Sequence, residues 1–293
     1  MLPVTENRGR ARTMATTKLL VSTSKEGAVL MIRLNSPENR NSLTTELREQ
    51  LADAVEMAER DRAVRAVFLT GEGATFCSGG DLKLLKTASD PWPVHRRFRY
   101  MSRWLTPLIT LEKPVVVGVR GHAVGGGMGL ALTGDIVIAG ESAKFMSGFF
   151  RLGVIPDVGM MYHLPRLIGM ARAKNFLFSG ATMPAREALD LGLVAKVVAD
   201  DQLEATCLAE AARLADGPAE VMGLAKTLMA RSFESSLADM FAFEGLGQAL
   251  AMSNPEFREG LNAALEGRRA DFARAAAEPT NDSSASDSPA SSS

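Results

Sequence analysis

The chain has 293 residues, 46% of them hydrophobic, and a formal net charge of −1. That is enough apolar residue for one large core, or for a core with a smaller appended region. The near balance of charge argues against binding nucleic acid through a broad basic face, and no nucleic-acid partner is expected. Two cysteines, Cys77 and Cys207, lie far apart without CxxC or metal-ligand spacing, so no metal is expected and a reducing, cytoplasmic setting is.

Residues 1–16 read as a polar, flexible leader in which Met14 is an alternative start. The most apolar stretch, 114–139, is interrupted by Arg120, His122 and Asp135, so neither a signal segment nor a membrane association is expected. Residues 17–204 then read as the core, 205–275 as a C-terminal helical region, and 276–293 as a tail. The tail sequence EPTNDSSASDSPASSS has nothing to bury and is expected to be disordered.

In chain order, residues 28–34 read as a strand and 35–41 as a turn, and Leu43, Leu47, Leu51 and Val55 mark one face of a helix. A second strand covers 64–69. Residues 82–112 read as helix broken near Pro91 and Pro93. Strands follow at 115–120 and 136–139. Beyond Pro165 helices are expected at about 166–178, 184–191, 202–215, 218–232 and 235–275, the last broken at Pro255, with one short strand at 194–198. Repeated strand–helix–strand crossovers point to an α/β fold with parallel strands.

Two of these strands run into glycine-rich turns. One leads into GEGATFCSGGDL at 71–82, the other into GHAVGGGMGLAL at 121–132. Glycine removes the Cβ and lets a ligand approach backbone N–H groups, and two such turns can supply the two donors of an oxyanion hole. Neither turn fits GxxxxGK[ST], and no acidic residue completes a dinucleotide fingerprint. Taken singly, each is equally readable as a tight strand-to-helix connection.

The segments LNSPENRNSL (34–43), TFCSGGDLK (75–83), KPVVVGVRGHAVGGGMGLAL (113–132), LGVIPDVG (152–159) and SGATMPAREALDLGLVAKVV (179–198) together resemble the crotonase, or enoyl-CoA hydratase/isomerase, superfamily over about residues 17–272. The resemblance implies a spiral of ββα units, a C-terminal helical region that builds trimers or dimers of trimers, and acyl-CoA thioester substrates. Coenzyme A enters as part of the substrate, and no separate cofactor is implied. By position, the backbone N–H groups of Gly80 and Gly126 are the implied oxyanion donors. Asp81 is read as a helix cap or ion-pair partner.

The hydratases of the superfamily use two glutamates, and the matching positions here are Gly129 and Phe149. Neither residue can activate water or carry a proton. One acid remains: Asp157 falls where some isomerases of the family carry a catalytic aspartate and where a dehalogenase branch carries its nucleophile. Without the resemblance, Pro-Asp-x-Gly is simply a turn sequence. With it, Asp157 is the expected base, and burial among Phe149, Phe150, Val154 and Met160 is expected to raise its pKa. The implied reaction is Δ3-to-Δ2 enoyl-CoA isomerisation. Hydration or another enolate reaction is the enzymatic alternative, and a catalytically silent CoA-binding paralogue is the non-enzymatic one.

Arg40, Ser78 and Lys83 lie near the turns expected to meet coenzyme A, and Arg268 or Arg269 on the last helix is placed to reach phosphate from a neighbouring subunit. Phe149 is read as a wall of the acyl pocket, with Ser147 as a lesser candidate. His122 and His163 border the site and read as structural groups.

Overall fold

The computed structural model describes residues 18–82 and 90–277. The expected leader, Lys83 and the tail from residue 278 lie outside the described residues. The chain opens with strands β1 (Val21–Glu26) and β2 (Val29–Leu34), then helix α1 (Thr45–Arg60) and β3 (Ala66–Gly71). After residue 90 come α2 (Pro91–Arg99), α3 (Leu105–Ile109), β4 (Val115–Val119), β5 (His122–Val124), α4 (Gly126–Ala131), β6 (Ile136–Gly140) and β7 (Lys144–Met146). The remainder is α5 (Met160–Ile168), α6 (Met170–Ser179), β8 (Thr182–Pro184), α7 (Ala185–Asp190), β9 (Lys196–Val198), α8 (Leu203–Ala215), α9 (Ala219–Met229), α10 (Leu237–Ser253), α11 (Pro255–Glu266) and α12 (Phe272–Ala277).

Six strands form the main sheet in the order β1-β2-β3-β4-β6-β9, parallel except for the β1–β2 hairpin. A small second sheet has the order β5-β7-β8. From β4 onward the chain feeds both sheets: β4 goes to the first and β5 to the second, then β6 and β7 likewise. The chain thus winds as a spiral of ββα turns, of which the first lie in the main sheet alone and the later ones contribute to both. The expected crotonase-type architecture is therefore present.

Side-chain alternation builds a core on each face of the main sheet. Leu30, Ile32, Val67, Leu69, Val115 and Val117 point to one side, where they meet Leu47, Leu51 and Val55 of α1. Val29, Met31, Phe68, Val116 and Ile138 point to the other, where they meet Leu203, Cys207, Ala211 and Leu214 of α8. The central strands are buried on both faces, so they read as continuous apolar runs. The helix at the expected boundary of the C-terminal region, α8, is thus packed on the sheet.

Several elements depart from the expected pattern. Strand β1 was not visible in the sequence because VSTSKE is an edge strand with one buried side chain, Val21. Strands β5, β7 and β8 are three residues each, too short to show a period of two. The helix expected from 166 begins at Met160 and is divided by Gly169, whose φ of 80° and ψ of 152° end one helix and start the next.

The C-terminal helices are tied to the core by charge. Arg65 is nearly buried and its guanidinium donates to the carbonyls of Ala215 (2.8 Å) and Gly217 (2.7 Å) and to the buried carboxylate of Glu256 (2.8 Å). Arg268 meets Glu259 with two bonds of 2.6 and 3.0 Å, and the Asp271 N–H donates to the same carboxylate at 2.7 Å. Helix α10 is different: its Leu237, Phe241, Leu246, Leu250 and Met252 are exposed, and only Gly247 is buried. Among the described residues, no helix is long and apolar enough to cross a membrane.

Glu256→Ala leaves the Arg65 guanidinium buried without its counter-charge, and the urea midpoint is expected to report a loss of about 3–5 kcal/mol. The hydrogen bond from Arg268, aided by the Asp271 N–H, holds the Glu259 carboxyl down to about 2. A lowered folded-state pKa means that the stability this group supplies is complete above the unfolded value of about 4.5 and vanishes as pH falls toward 2. The difference in urea midpoint between the native chain and Glu259→Gln is therefore expected to narrow steadily on acidification from about pH 5.

Candidate active site

Asn41 organises the first glycine turn. It is fully buried and holds φ at 52°, a left-handed conformation that asparagine tolerates better than most residues. Its side-chain amide donates to the carbonyls of Glu72 (2.9 Å), Thr75 (2.8 Å) and Phe76 (3.1 Å), and its side-chain oxygen accepts from the Ser36 N–H at 2.8 Å. These four bonds satisfy backbone groups that the turn would otherwise bury unpaired. Asn41 carries no signal in the sequence beyond its place in an Asn-rich turn.

The two glycine turns are joined backbone to backbone. Cys77 N–H donates to His122 O (3.1 Å) and Val124 N–H to Cys77 O (2.9 Å), while Leu43 N–H donates to Gly79 O (2.8 Å). A Cβ on Gly79, which has φ 84°, would stand 2.4 Å from Val124 O. One on Gly127 would stand 2.2 Å from Cys77 O. No side chain fits at either position, so the sequence has glycine there. Among the described residues, no hydrogen bond takes up the N–H of Gly80 or of Gly126. Two such N–H groups on turns locked together can serve as a two-donor oxyanion site.

Asp157 comes to this place from a different part of the chain. Its Oδ1 stands 3.6 Å from the position that a Cβ on Gly126 would occupy. The carboxylate is half-buried, on the turn that leads into α5. Phe149 is buried, with its ring edge 3.7 Å from the corresponding point on Gly125. Met160 is buried as well. Phe150 and Val154, expected to bury the acid, are exposed, and Phe150 packs instead on Phe178 at a centroid separation of 5.6 Å. Residues 150–155 run on the surface: Gly153 turns the chain at φ 69°, and Leu152 and Ile155 are exposed with it.

The other candidates fall into place less uniformly. Arg40 and Ser78 are brought together through the backbone, Ser78 N–H donating to Arg40 O at 2.9 Å, while the Arg40 side chain is exposed. Arg268 is engaged within its own chain by Glu259 and Glu266, and Arg269 by Asp216, so neither guanidinium is an uncompensated charge. Ser147 is buried. It lines a cleft of about 190 Å³ with Phe150, Arg151 and Phe178, a lining that does not include Asp157. His122 is exposed, and His163 is half-buried behind the Asp157 turn. Burial, followed by the nearby Arg166, lowers the His163 pKa from its ordinary value and favours the neutral ring.

Cys77 lies in the centre of the joined turns, yet burial pushes its thiol up to about 12 and its Sγ donates to Asn41 O at 3.0 Å. A protonated, buried thiol is no nucleophile. Among the described residues, no cluster of three or more His, Cys, Asp or Glu side chains could hold a metal ion. The sequence reading overlooked Val158. It is buried next to Asp157 with φ 50°, and nothing in the letters Pro-Asp-Val-Gly says that a β-branched residue takes that conformation.

Comparison with known proteins agrees with this geometry. The model of the enoyl-CoA hydratase/isomerase family matches residues 24–275. The chain is 37% identical over 251 residues to the 1,2-epoxyphenylacetyl-CoA isomerase of Escherichia coli K12, covering 84% of this chain and 95% of that one. Among solved structures it is similar to an enoyl-CoA hydratase/isomerase of Cupriavidus metallidurans CH34, with a TM-score of 0.82, 32% identity, and coverage of 86% and 96%. It is also similar to an enoyl-CoA hydratase of Polaromonas sp. JS666, with a TM-score of 0.82, 30% identity, and coverage of 85% and 98%. Two interlocked glycine turns on a ββα spiral, matched along most of the chain, make this protein a member of the enoyl-CoA hydratase/isomerase family of the crotonase superfamily.

Proposed function

We propose that this acyl-CoA enzyme shifts the double bond of a 3-enoyl-CoA to the 2-position, with Asp157 as its single base. The observation that carries the reading is the approach of the Asp157 carboxylate to Gly126, beside two uncommitted backbone N–H groups. The carboxylate removes a proton from C2 of the thioester. The electron pair delocalises through C1 onto the thioester oxygen and through C3 onto C4, giving a dienolate that the N–H groups of Gly80 and Gly126 stabilise. Asp157 then returns the proton to C4, leaving the double bond between C2 and C3. Atoms and charge balance without any co-reactant.

One carboxylate suffices because the same proton leaves and returns. Hydration needs a second group to deliver water, and the two positions at which the resemblance implies glutamates hold Gly129 and Phe149. The isomerase name of the Escherichia coli relative supports the same class of reaction. Hydration with water ordered by Asp157 is the second reading, favoured by the hydratase name of the Polaromonas structure. Lys83, which lies outside the described residues, and the exposed Arg40 are proposed to meet coenzyme A, with Ser78 turning toward it. The exposed apolar residues of α10 are proposed to pack in a homotrimer, or in a hexamer built from two.

The absorbance of the conjugated thioester reads both reactions. It is expected to rise with a 3-enoyl-CoA and to lose that rise, by about a thousandfold in rate or more, in Asp157→Asn. A fall in absorbance with a 2-enoyl-CoA would mean hydration and would overturn the isomerase reading. The donor role has its own check. A Cβ on Gly80 meets nothing within 4 Å, so Gly80→Ala is expected to keep kcat within about threefold. Gly80→Pro, which removes the N–H, is expected to lower kcat about a hundredfold or more.

A further inference from the structure

Val158 is, among the described residues, the one β-branched side chain held at positive φ, at 50°. Such a conformation is unfavourable for a β-branched residue and persists only where the surroundings over-determine it. What over-determines it here is the surface of α4. The Val158 Cγ2 lies 2.9 Å from where a Cβ on Gly126 would be. Its carbonyl oxygen lies 2.5 Å, and its own Cβ 2.9 Å, from where a Cβ on Gly129 would be. Gly126 and Gly129 are three residues apart and so share one face of the helix. Val158 therefore sits across two glycines, its side chain over the first and its peptide over the second.

The turn is fixed at its far end as well. Met160 N–H donates to Asp157 O at 3.0 Å, and Gly159, at φ 73°, passes directly into α5. Asp157 is thus held between the turn that enters α5 and the face of α4. We propose that Gly129 is a positioning residue: because it has no side chain, the Val158 peptide seats on α4, and that seating sets the Asp157 carboxylate beside Gly126. The space over residue 129 has one occupant. In this chain a side chain there and the turn as seated compete for the same space. The role of Gly129 rests on the reading of Asp157 as the base, whereas the seating of the turn is independent of it.

Crystal structures of the native protein and of Gly129→Ala test the seat without reference to any reaction. In the variant the 157–159 turn is expected to lift from α4 and the carboxylate to withdraw from Gly126. An unmoved carboxylate would overturn the proposal. Val158→Gly adds no atom, makes φ 50° easy for the backbone, and removes the contact over Gly126, so it serves where Gly129→Ala fails to fold. In that variant the peptide at residue 158 still lies over Gly129, so the turn is expected to stay on α4 with the carboxylate beside Gly126; a turn that lifts would overturn the proposal, because the side chain and not the peptide would then hold the seat.

Kinetics with a 3-enoyl-CoA separate the seat from the chemistry. Displacing a base by about 1 Å costs on the order of a hundredfold, so kcat of Gly129→Ala is expected to fall by about that factor while KM moves less than about threefold. Full kcat in Gly129→Ala beside an inactive Asp157→Asn would overturn the positioning role. Full kcat in Asp157→Asn would overturn the assignment of the base, and the crystal structures would still decide whether Gly129 seats the turn.

Discussion

The contact on which the site depends is the approach of two backbones with no side chain between them. Gly79 lies against Val124 and Gly127 against Cys77, at separations that no Cβ allows. Hydrogen bonds in both directions then join the turns, so a small shift of one carries the other with it. This is how two N–H groups more than forty residues apart come to lie on joined turns, the pair that the proposed function assigns to one oxygen. Each turn is in turn held by the sheet strand that feeds it, and Asn41 fastens the first from beneath. The rigidity required of an oxyanion site thus comes from packing of main chain on main chain.

Against this fixed floor stands the Asp157 turn, and its conformation is of the opposite kind. The floor is joined by backbone hydrogen bonds, whereas Val158 is held in a region of backbone space that a β-branched residue avoids. Strain of this sort gathers at working sites, where neighbours must hold a group that would otherwise relax. The neighbours here are glycines of α4, together with the apolar wall of Phe149 and Met160. The proposed function gives this carboxylate the proton that leaves and comes back.

The C-terminal helices are joined to the core by different means at different points. Arg65 and Glu256 form a buried pair whose remaining donors are taken by carbonyls at the end of α8, which fixes α11 to the sheet. Arg268, Glu259 and Asp271 close the following turn. Ahead of both fastenings on α11, α10 carries exposed apolar side chains.

The sequence by itself determined the class of fold and most of the core. Alternating apolar residues on β2 and β3, the spacing of Leu47, Leu51 and Val55 on α1, and two glycine turns after strands are local patterns set by the geometry of strand and helix. It also named Asp157, Gly80 and Gly126, because their types and order matched a family. Only the tertiary structure decided what those residues do to one another. That Phe150 and Val154 face outward while Val158 faces in, that Arg268 is spoken for by Glu259, and that Gly129 is empty so that a peptide can occupy its space are facts about distant segments meeting. No local pattern encodes them, because a glycine chosen for a turn and a glycine chosen to admit another chain segment are the same letter. The difference lies in what stands above it, and that is set by the way the spiral closes.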